Sequence, residues 1–288
     1  MNLEFLEQLI AARSVAGDAA GNAAALDLIV SKLQQLGFDT SVEGGTETDQ
    51  PSIIARREPR RCRDRIVLYG HYDVVPVRNP HAWEQPHPFR PTLVDDRLYC
   101  RGIADNKGPL AARLDALAVL DRDGLPTPGL LWLIQGEEEI GPGPRIAQSL
   151  FAAHLQSFDC PVIVEETGFH DRDTSSPMLF LWSPGIAESA LDPLASRLSE
   201  WLPAMQHHYR HLNKLGGSEH CPLLSNLKPE MVYLGFGPND HQHRIHRDNE
   251  SLNLIRLRQH AVDFASFLTA YANSDFEASA RAIGADTI

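Results

Sequence analysis

The sequence predicts an α/β fold, a three-layer sandwich in which helices cover both faces of a mixed, largely parallel sheet. Three observations predict it. Short apolar runs alternate with segments of helical periodicity along the chain. Several of these runs are apolar throughout, which is typical of strands buried on both faces. The chain has 288 residues, of which 43% are hydrophobic, and no low-complexity linker interrupts it. We therefore expect a single domain with one large core.

Helical spacing of apolar residues marks the predicted helices. Leu26, Ile29 and Leu33 share one helix face, and Gly37 supplies a helix stop. The predicted helices cover residues 3–13, 22–36, 108–120, 144–154, 192–205 and 252–271.

Short apolar and β-rich runs mark the predicted strands. They lie at 39–42, 52–56, 66–69, 130–135, 161–164, 178–182 and 231–234. Residues 76–100 are rich in Pro, His and Asp, and this composition predicts a long loop with a short hairpin.

Composition excludes several classes of protein. The formal net charge of −12 argues against nucleic acid and against an anionic membrane as partners. The four cysteines form no Cys-x-x-Cys pair, which favours reduced thiols over a zinc ribbon or a disulfide framework. The N-terminus lacks the pattern of a signal peptide, and no apolar run is long enough to span a membrane. We expect a soluble, cytoplasmic protein.

Acids and histidines follow the predicted strands, at the sheet edge where ligands bind in open α/β folds. They are His71 and Asp73, then Asp105, Glu137 to Glu139, Glu165 and Glu166, and His246. Each has an ordinary explanation by itself, such as a polar strand end, a helix N-cap or a solvated loop. Together they offer imidazole and carboxylate ligands without a thiol, which suits catalytic Zn(II), with Mn(II) or Co(II) as substitutes.

The order of these clusters resembles the M20 metallopeptidase family, which includes carboxypeptidase G2 and carnosinase. The matching motifs are Gly-His-x-Asp-Val-Val-Pro at 70–76, Gly-x-x-Asp-Asn-Lys-Gly at 102–108, Gly-x-Glu-Glu-Ile-Gly ending at 141, an acid at 165 or 166, and His-x-x-Asn-Glu at 246–250. The resemblance covers about residues 1–185 and 192–288. It implies a hydrolase that cleaves an amide bond with two zinc ions and a metal-activated water.

The resemblance also implies a role for each residue. His71 would bind one metal with Asp73 orienting it, and Asp105 would bridge both metals, with a cis peptide bond between Asp105 and Asn106. The remaining roles are Glu138 as general base, Glu139 and His246 as ligands of the second metal, and Glu166 or Glu165 as a ligand of the metal that His71 binds. Glu166-Thr167-Gly168 matches one variant of the family motif and Glu165 matches another, so the choice stays open with Glu166 preferred.

Two further elements follow from the resemblance. Gly216, Gly217 and Ser218 resemble a turn that contacts substrate. Most members insert a lid domain between two parts of the catalytic domain, and here the chain passes almost directly from Gly185 to Asp192. We therefore expect residues 1–288 to form one catalytic domain without a lid, and the protein to be monomeric.

In the family, a histidine of the partner's lid holds the reacting carbonyl. Its replacement here must come from elsewhere, and His207, His208 and His211 are candidate oxyanion donors, although ordinary surface histidines are an equal reading of that segment. The expected substrate is a peptide or an N-acyl amino acid, and the sequence does not choose between them. Two alternatives remain: a metal-binding module without catalysis, and a metal-dependent hydrolase acting on a non-peptide bond in a biosynthetic pathway.

Overall fold

The computed structural model describes residues 2–45, 50–140, 145–165, 177–202, 205, 209–212 and 227–285. Within these residues the helices are α1 (Leu3–Ala11), α2 (Ala19–Gln35), α3 (Lys107–Arg122), α4 (Arg145–Ser157), α5 (Glu188–Trp201), α6 (Leu254–Ala272) and α7 (Phe276–Ala285). The strands are β1 (Asp39–Glu43), β2 (Ser52–Arg57), β3 (Arg65–His71), β4 (Thr92–Val94), β5 (Arg97–Tyr99), β6 (Gly129–Gln135), β7 (Val162–Glu165), β8 (Leu179–Trp182), β9 (Tyr209–His211), β10 (Val232–Gly235) and β11 (Ser251–Asn253).

Eight strands form the main sheet in the order β1-β2-β6-β3-β7-β10-β8-β9. Its centre, β6-β3-β7-β10, is parallel throughout, and antiparallel pairs occur where β2 meets β6 and where β10 meets β8. A separate antiparallel sheet has the order β11-β5-β4, and its β4–β5 hairpin is the one predicted within residues 76–100. The predicted mixed, largely parallel sheet is confirmed.

The central strands are buried on both faces, as a sheet between two helical layers requires. Every residue of β6 is buried, and only Arg65 of β3 is partly exposed. Trp132 of β6 lies 6.5 Å from Phe38 between ring centroids, and Tyr69 of β3 contacts Phe151 of α4 edge-on. The continuous apolar runs that predicted these strands therefore form the core of the sandwich.

Helix ends follow the capping chemistry of the sequence. Asp18 accepts a hydrogen bond from the Gly21 backbone N–H at the start of α2, and Asn253 caps α6 in the same way. Gly37 takes a φ of +74° directly after α2, a conformation that glycine adopts without strain, so the predicted helix stop is confirmed.

Three elements were absent from the sequence prediction: β9, β11 and α7. The two strands contain three residues each and carry no apolar run that periodicity could detect. Helix α5 also begins earlier than predicted, at Glu188, and accommodates Pro193 near its start. Only residues 183–187 separate β8 from α5. Among the described helices, none combines the length and the apolar character needed to cross a bilayer.

Candidate metal centre

The parallel pairing of β3 with β6 brings the first two clusters together. Because both strands run in the same direction, their carboxyl ends meet at one edge of the sheet. His71, the last residue of β3, is in register with Gln135, the last residue of β6. The chain leaving β6 continues directly into Gly136 and the acidic residues 137–139. His71 therefore lies beside the acidic segment, as expected from strand ends alone.

His71 is buried and held through both ring nitrogens. Its Nε2 lies 2.9 Å from Oδ1 of Asp105, and its Nδ1 lies 3.2 Å from the backbone oxygen of Asp73 and 3.3 Å from Asp73 Oδ1. Asp73 is itself buried, and its Oδ2 accepts a hydrogen bond of 2.8 Å from the Glu139 backbone N–H. Asp73 thus fixes the histidine and the acidic segment relative to each other.

Asp105 lies in the turn before α3, and its two carboxylate oxygens reach two different histidines. Oδ1 contacts His71 Nε2 at 2.9 Å, and Oδ2 contacts His246 Nε2 at 3.2 Å. His246 Nε2 also lies 2.9 Å from Oε2 of Glu139. The Asp105–Asn106 peptide bond is cis, which confirms that part of the prediction. Three side chains distant in sequence, those of His71, Glu139 and His246, therefore converge around Asp105.

Glu250 positions the backbone of the Asp105 turn. Its Oε1 accepts hydrogen bonds from the N–H groups of Ala104 (2.9 Å) and Asp105 (3.2 Å), and its Oε2 accepts from Gly102 N–H (3.1 Å) and from Arg101 Nη1 (2.7 Å). Sequence reasoning placed Glu250 in a motif but gave it no role. Two charged residues in the sequence could have indicated this role: Glu250 at the end of the His246 motif, and Arg101 directly before the Asp105 motif.

Two groups of ligand atoms in this cluster are close enough to hold a cation. One contains His71, Glu138 and Glu139, and the other contains Asp105, Glu139 and His246, with all atoms of each group within 4.8 Å of one another. Imidazole and carboxylate donors without thiolate suit zinc, manganese or cobalt rather than a structural zinc site. The residues present therefore fit one or two divalent ions.

The electrostatics of the cluster show an excess of negative charge. Burial lowers the pKa of His71, but Glu138 and Asp105 outweigh it and hold that pKa well above its usual value. Burial raises the pKa of Glu139 to about 7, with Asp105 adding to the effect and His246 opposing it. Hydrogen bonds to Asp105 and Glu139 raise the pKa of His246 to about 10. The directions of these shifts favour added positive charge in the cluster, which divalent cations could supply.

Other predicted site residues lie elsewhere or outside the described residues. Glu165 ends β7, and its Oε2 accepts a hydrogen bond of 2.9 Å from the Tyr233 hydroxyl. His211, a candidate oxyanion donor, lies on the edge strand β9 with its Nε2 2.7 Å from Asp192. Four strands separate β9 from β6, so His211 does not join the cluster. The remaining predicted site residues lie outside the described residues: Glu166, His207, His208, Gly216, Gly217 and Ser218.

The sequence matches the family model for peptidase family M20/M25/M40 over residues 67–270. The chain belongs to this family. The matched range begins in β3 and ends in α6, so it includes Asp105, the three side chains that converge around it, and Glu250.

Curated M20 relatives resemble about half of this chain. One is the cysteinylglycine-S-conjugate dipeptidase of Corynebacterium striatum, 38% identical over 135 residues, which cover 47% of this chain and 29% of the relative. Another is a succinyl-diaminopimelate desuccinylase of Methylobacillus flagellatus, 39% identical over 139 residues, which cover 48% of this chain and 35% of the relative. The matches thus span about a third of the length of these relatives.

Solved structures share the fold across almost the whole chain. The dipeptidase Dug1p from Saccharomyces cerevisiae superimposes with a TM-score of 0.74 at 12% identity, covering 94% of this chain and 96% of that chain. Human carnosine dipeptidase 1 gives a TM-score of 0.67 at 13% identity, covering 94% and 97%. At this level of identity the likeness shows the fold.

Proposed function

We propose that this chain is the catalytic domain of a hydrolase that cleaves amide bonds with two divalent metal ions, preferably zinc, one on each side of Asp105. The observation that carries the proposal is the contact of the two Asp105 oxygens with two different histidines. A carboxylate in this arrangement can bridge two cations about 3.5–4 Å apart. M20 family membership and the dipeptidase and desuccinylase relatives support the amide bond as the target.

The proposed ligands divide between two positions. His71 and Asp105 would hold one ion, and Asp105, Glu139 and His246 would hold the other. Glu166 is the proposed further ligand on the His71 side, with Glu165 as the alternative. The hydrogen bond that the Glu165 carboxylate accepts from a tyrosine hydroxyl favours Glu166, because that bond already engages Glu165.

Glu138 is the proposed general base. Bound divalent ions would supply Lewis acidity, which lowers the pKa of a water toward about 7 and polarises an amide carbonyl. The Glu138 carboxylate, grouped with His71 within 4.8 Å, takes a proton from the attacking water and returns it to the leaving amine nitrogen. Asp73 holds the Nδ1 side of His71, which leaves Nε2 directed at the metal position. One water is consumed, and a carboxylate and an amine are released.

The substrate proposal follows the relatives: a dipeptide or an N-acyl amino acid, contacted by Gly216, Gly217 and Ser218. The close succession of β8 and α5 supports one catalytic domain without an inserted lid, and we propose a monomer. Size-exclusion chromatography with light scattering checks the last point, because a dimeric mass contradicts it.

The test compares metal content and activity in the same preparations. Wild-type protein, stripped with a chelator and restored with zinc, is assayed for amine release on a panel of dipeptides and N-succinyl and N-acetyl amino acids. Restored activity with two zinc ions per chain supports the proposal. A protein that binds two ions but hydrolyses no amide favours one of the two alternatives, a metal-binding module without catalysis or a hydrolase that acts on a non-peptide bond. A protein that binds no metal excludes the proposal and both alternatives.

Two variants separate the base from the ligands. Glu138→Gln should keep both ions and lose about 10²–10⁴-fold in rate, because only proton transfer is removed. His246→Ala should lose the second ion along with activity. A Glu138→Gln protein that loses metal shows that Glu138 is a ligand, since the same atoms group with His71. Full activity with both ions contradicts any catalytic role.

A further inference from the structure

A groove of about 910 Å³ lies between the segment after α1 and the loop after β3. Arg13 and residues 15–19 form one wall, and residues from the ranges 76–80 and 87–90 form the other. None of the residues in the two candidate metal groups lines it. Its volume falls within the range of small-molecule sites, about 300–1,000 Å³. The groove is therefore a second concave site, separate from the proposed catalytic one.

The first wall is held in place by buried hydrogen bonds. Ser14 is fully buried, its hydroxyl donates to the Tyr72 carbonyl at 2.6 Å, and its own carbonyl accepts from Val74 N–H at 2.9 Å. Gly21 lets α2 approach closely, since a Cβ there would lie 2.6 Å from the Arg13 carbonyl oxygen of this wall. Arg13 takes a φ of +41°, a left-handed conformation that a non-glycine residue adopts only when its surroundings enforce it. The wall is thus preorganised.

The second wall is tied to the turn that carries Asp105. The Pro88 carbonyl accepts a hydrogen bond of 2.7 Å from Arg101 N–H, and Arg90 N–H closes a turn onto the His87 carbonyl at 2.9 Å. Phe89 faces the first wall, and the Arg13 guanidinium lies 5.1 Å from its ring centroid. This cation–π contact therefore joins the two walls.

The charges of the groove favour an anion. Arg13 and Arg90 are exposed, and neither forms an ion pair with another described residue. The one acid of the lining, Asp18, already accepts a hydrogen bond of 2.9 Å from Gly21 N–H as a helix cap. The chain has a net charge of −12, whereas the lining of this groove holds two arginines and one acid. Guanidinium groups bind carboxylates with matched, forked geometry.

We propose that this groove binds a small anionic molecule with an apolar body. Arg13 and Arg90 hold its carboxylate, and Val77, Pro80 and Phe89 contact its apolar part. The inference does not depend on amide hydrolysis, because it rests on the groove's own charge, shape and rigidity.

Dansyl-glutamate is a suitable probe, because it joins a naphthalene to two carboxylates through a sulfonamide, which is not a carboxamide. Its fluorescence rises in apolar surroundings, so titration of the metal-loaded protein gives a dissociation constant. The variant Arg13→Gln/Arg90→Gln removes the two cations. The matched control, Arg63→Gln/Arg122→Gln, removes the same charge at exposed positions outside the groove. Circular dichroism verifies the fold of each.

The wild type should bind the probe saturably and bind its uncharged diamide at least about tenfold more weakly. The groove variant should bind dansyl-glutamate at least about tenfold more weakly than wild type, and the control should stay within about twofold. Rising salt should weaken wild-type binding. Equal affinity of both double variants overturns the proposal. So does loss of binding on chelation of the metal, which would place the probe at the metal centre, or the absence of saturation below about 1 mM.

Discussion

Replacing Glu250 by Gln tests how the Asp105 turn is held. Glu250 and Arg101 are almost fully buried, and the carboxylate accepts four hydrogen bonds, from Arg101 and from the N–H groups of Gly102, Ala104 and Asp105. Glutamine keeps the shape but turns one oxygen into an NH₂ group that faces donors. It also removes the negative charge from a buried guanidinium.

The expected cost follows from that geometry. Removing one partner of a buried ion pair costs about 3–5 kcal/mol. Glutamine retains one accepting oxygen, and Arg101 also lies over the Trp83 ring at 5.5 Å, so we expect about 3 kcal/mol, the lower end. Burial is the largest effect on the pKa of Glu250 and raises it despite Arg101, which shows that the intact pair is itself costly to desolvate. The penalty therefore lies in breaking the pair.

Differential scanning calorimetry of metal-free protein measures the effect. At this chain length about 3 kcal/mol lowers Tm by roughly 6–12 °C. Asp275→Asn is the control, since it removes an ion pair with Arg197 at the surface, where solvent screening leaves little effect on stability. The double variant Arg101→Leu/Glu250→Gln should recover part of the loss, because no buried charge is left unpaired. If the Glu250→Gln and Asp275→Asn proteins have the same Tm, Glu250 does not hold the Asp105 turn in place.

Three further predictions concern other parts of the molecule. Burial raises the pKa of the Cys160 thiol to about 12. Iodoacetamide at pH 8 should therefore label the partly exposed Cys62 before Cys160, which should react only on unfolding. Peptide mapping that finds Cys160 labelled in native protein contradicts this prediction. Burial raises the pKa of Asp240, but Arg97 outweighs this effect and leaves that pKa lowered. The stability that Asp240 contributes is therefore present above about pH 4 and is lost as the pH falls further. Acid unfolding of Asp240→Asn should depend less on pH below about pH 4 than that of the wild type. A Cβ at Gly136 would lie 2.5 Å from two backbone carbonyl oxygens, so Gly136→Ala should lower stability by about 1–3 kcal/mol in urea unfolding, and an unchanged midpoint would show that the segment yields.

The sequence was sufficient for the central sheet and the position of the site. Residues 66–69 of β3 and 130–134 of β6 form continuous apolar runs, so composition alone marked these strands. The acids after β6 had to meet His71 once the strands were parallel. The sequence also carried the Asp105 and His246 motifs. The structure adds their mutual distances, which no spacing along the chain contains.

Other features depend on tertiary contacts that a sequence pattern does not record. Glu250 and Arg101 are 149 positions apart, so only folding shows that one carboxylate holds the whole turn. His211 lies in a segment rich in histidine, but its short strand pairs at the far edge of the sheet, where Asp192 of α5 engages it. The basic groove likewise forms from two loops with no shared motif.

Anomalous diffraction at the zinc edge from zinc-soaked crystals tests the central claim most directly. Two peaks should appear, one between Asp105 and His71 and the other between Asp105, Glu139 and His246. A single peak, or peaks that leave Asp105 uncoordinated, would contradict a bridged pair of metal ions and the hydrolytic chemistry proposed from it.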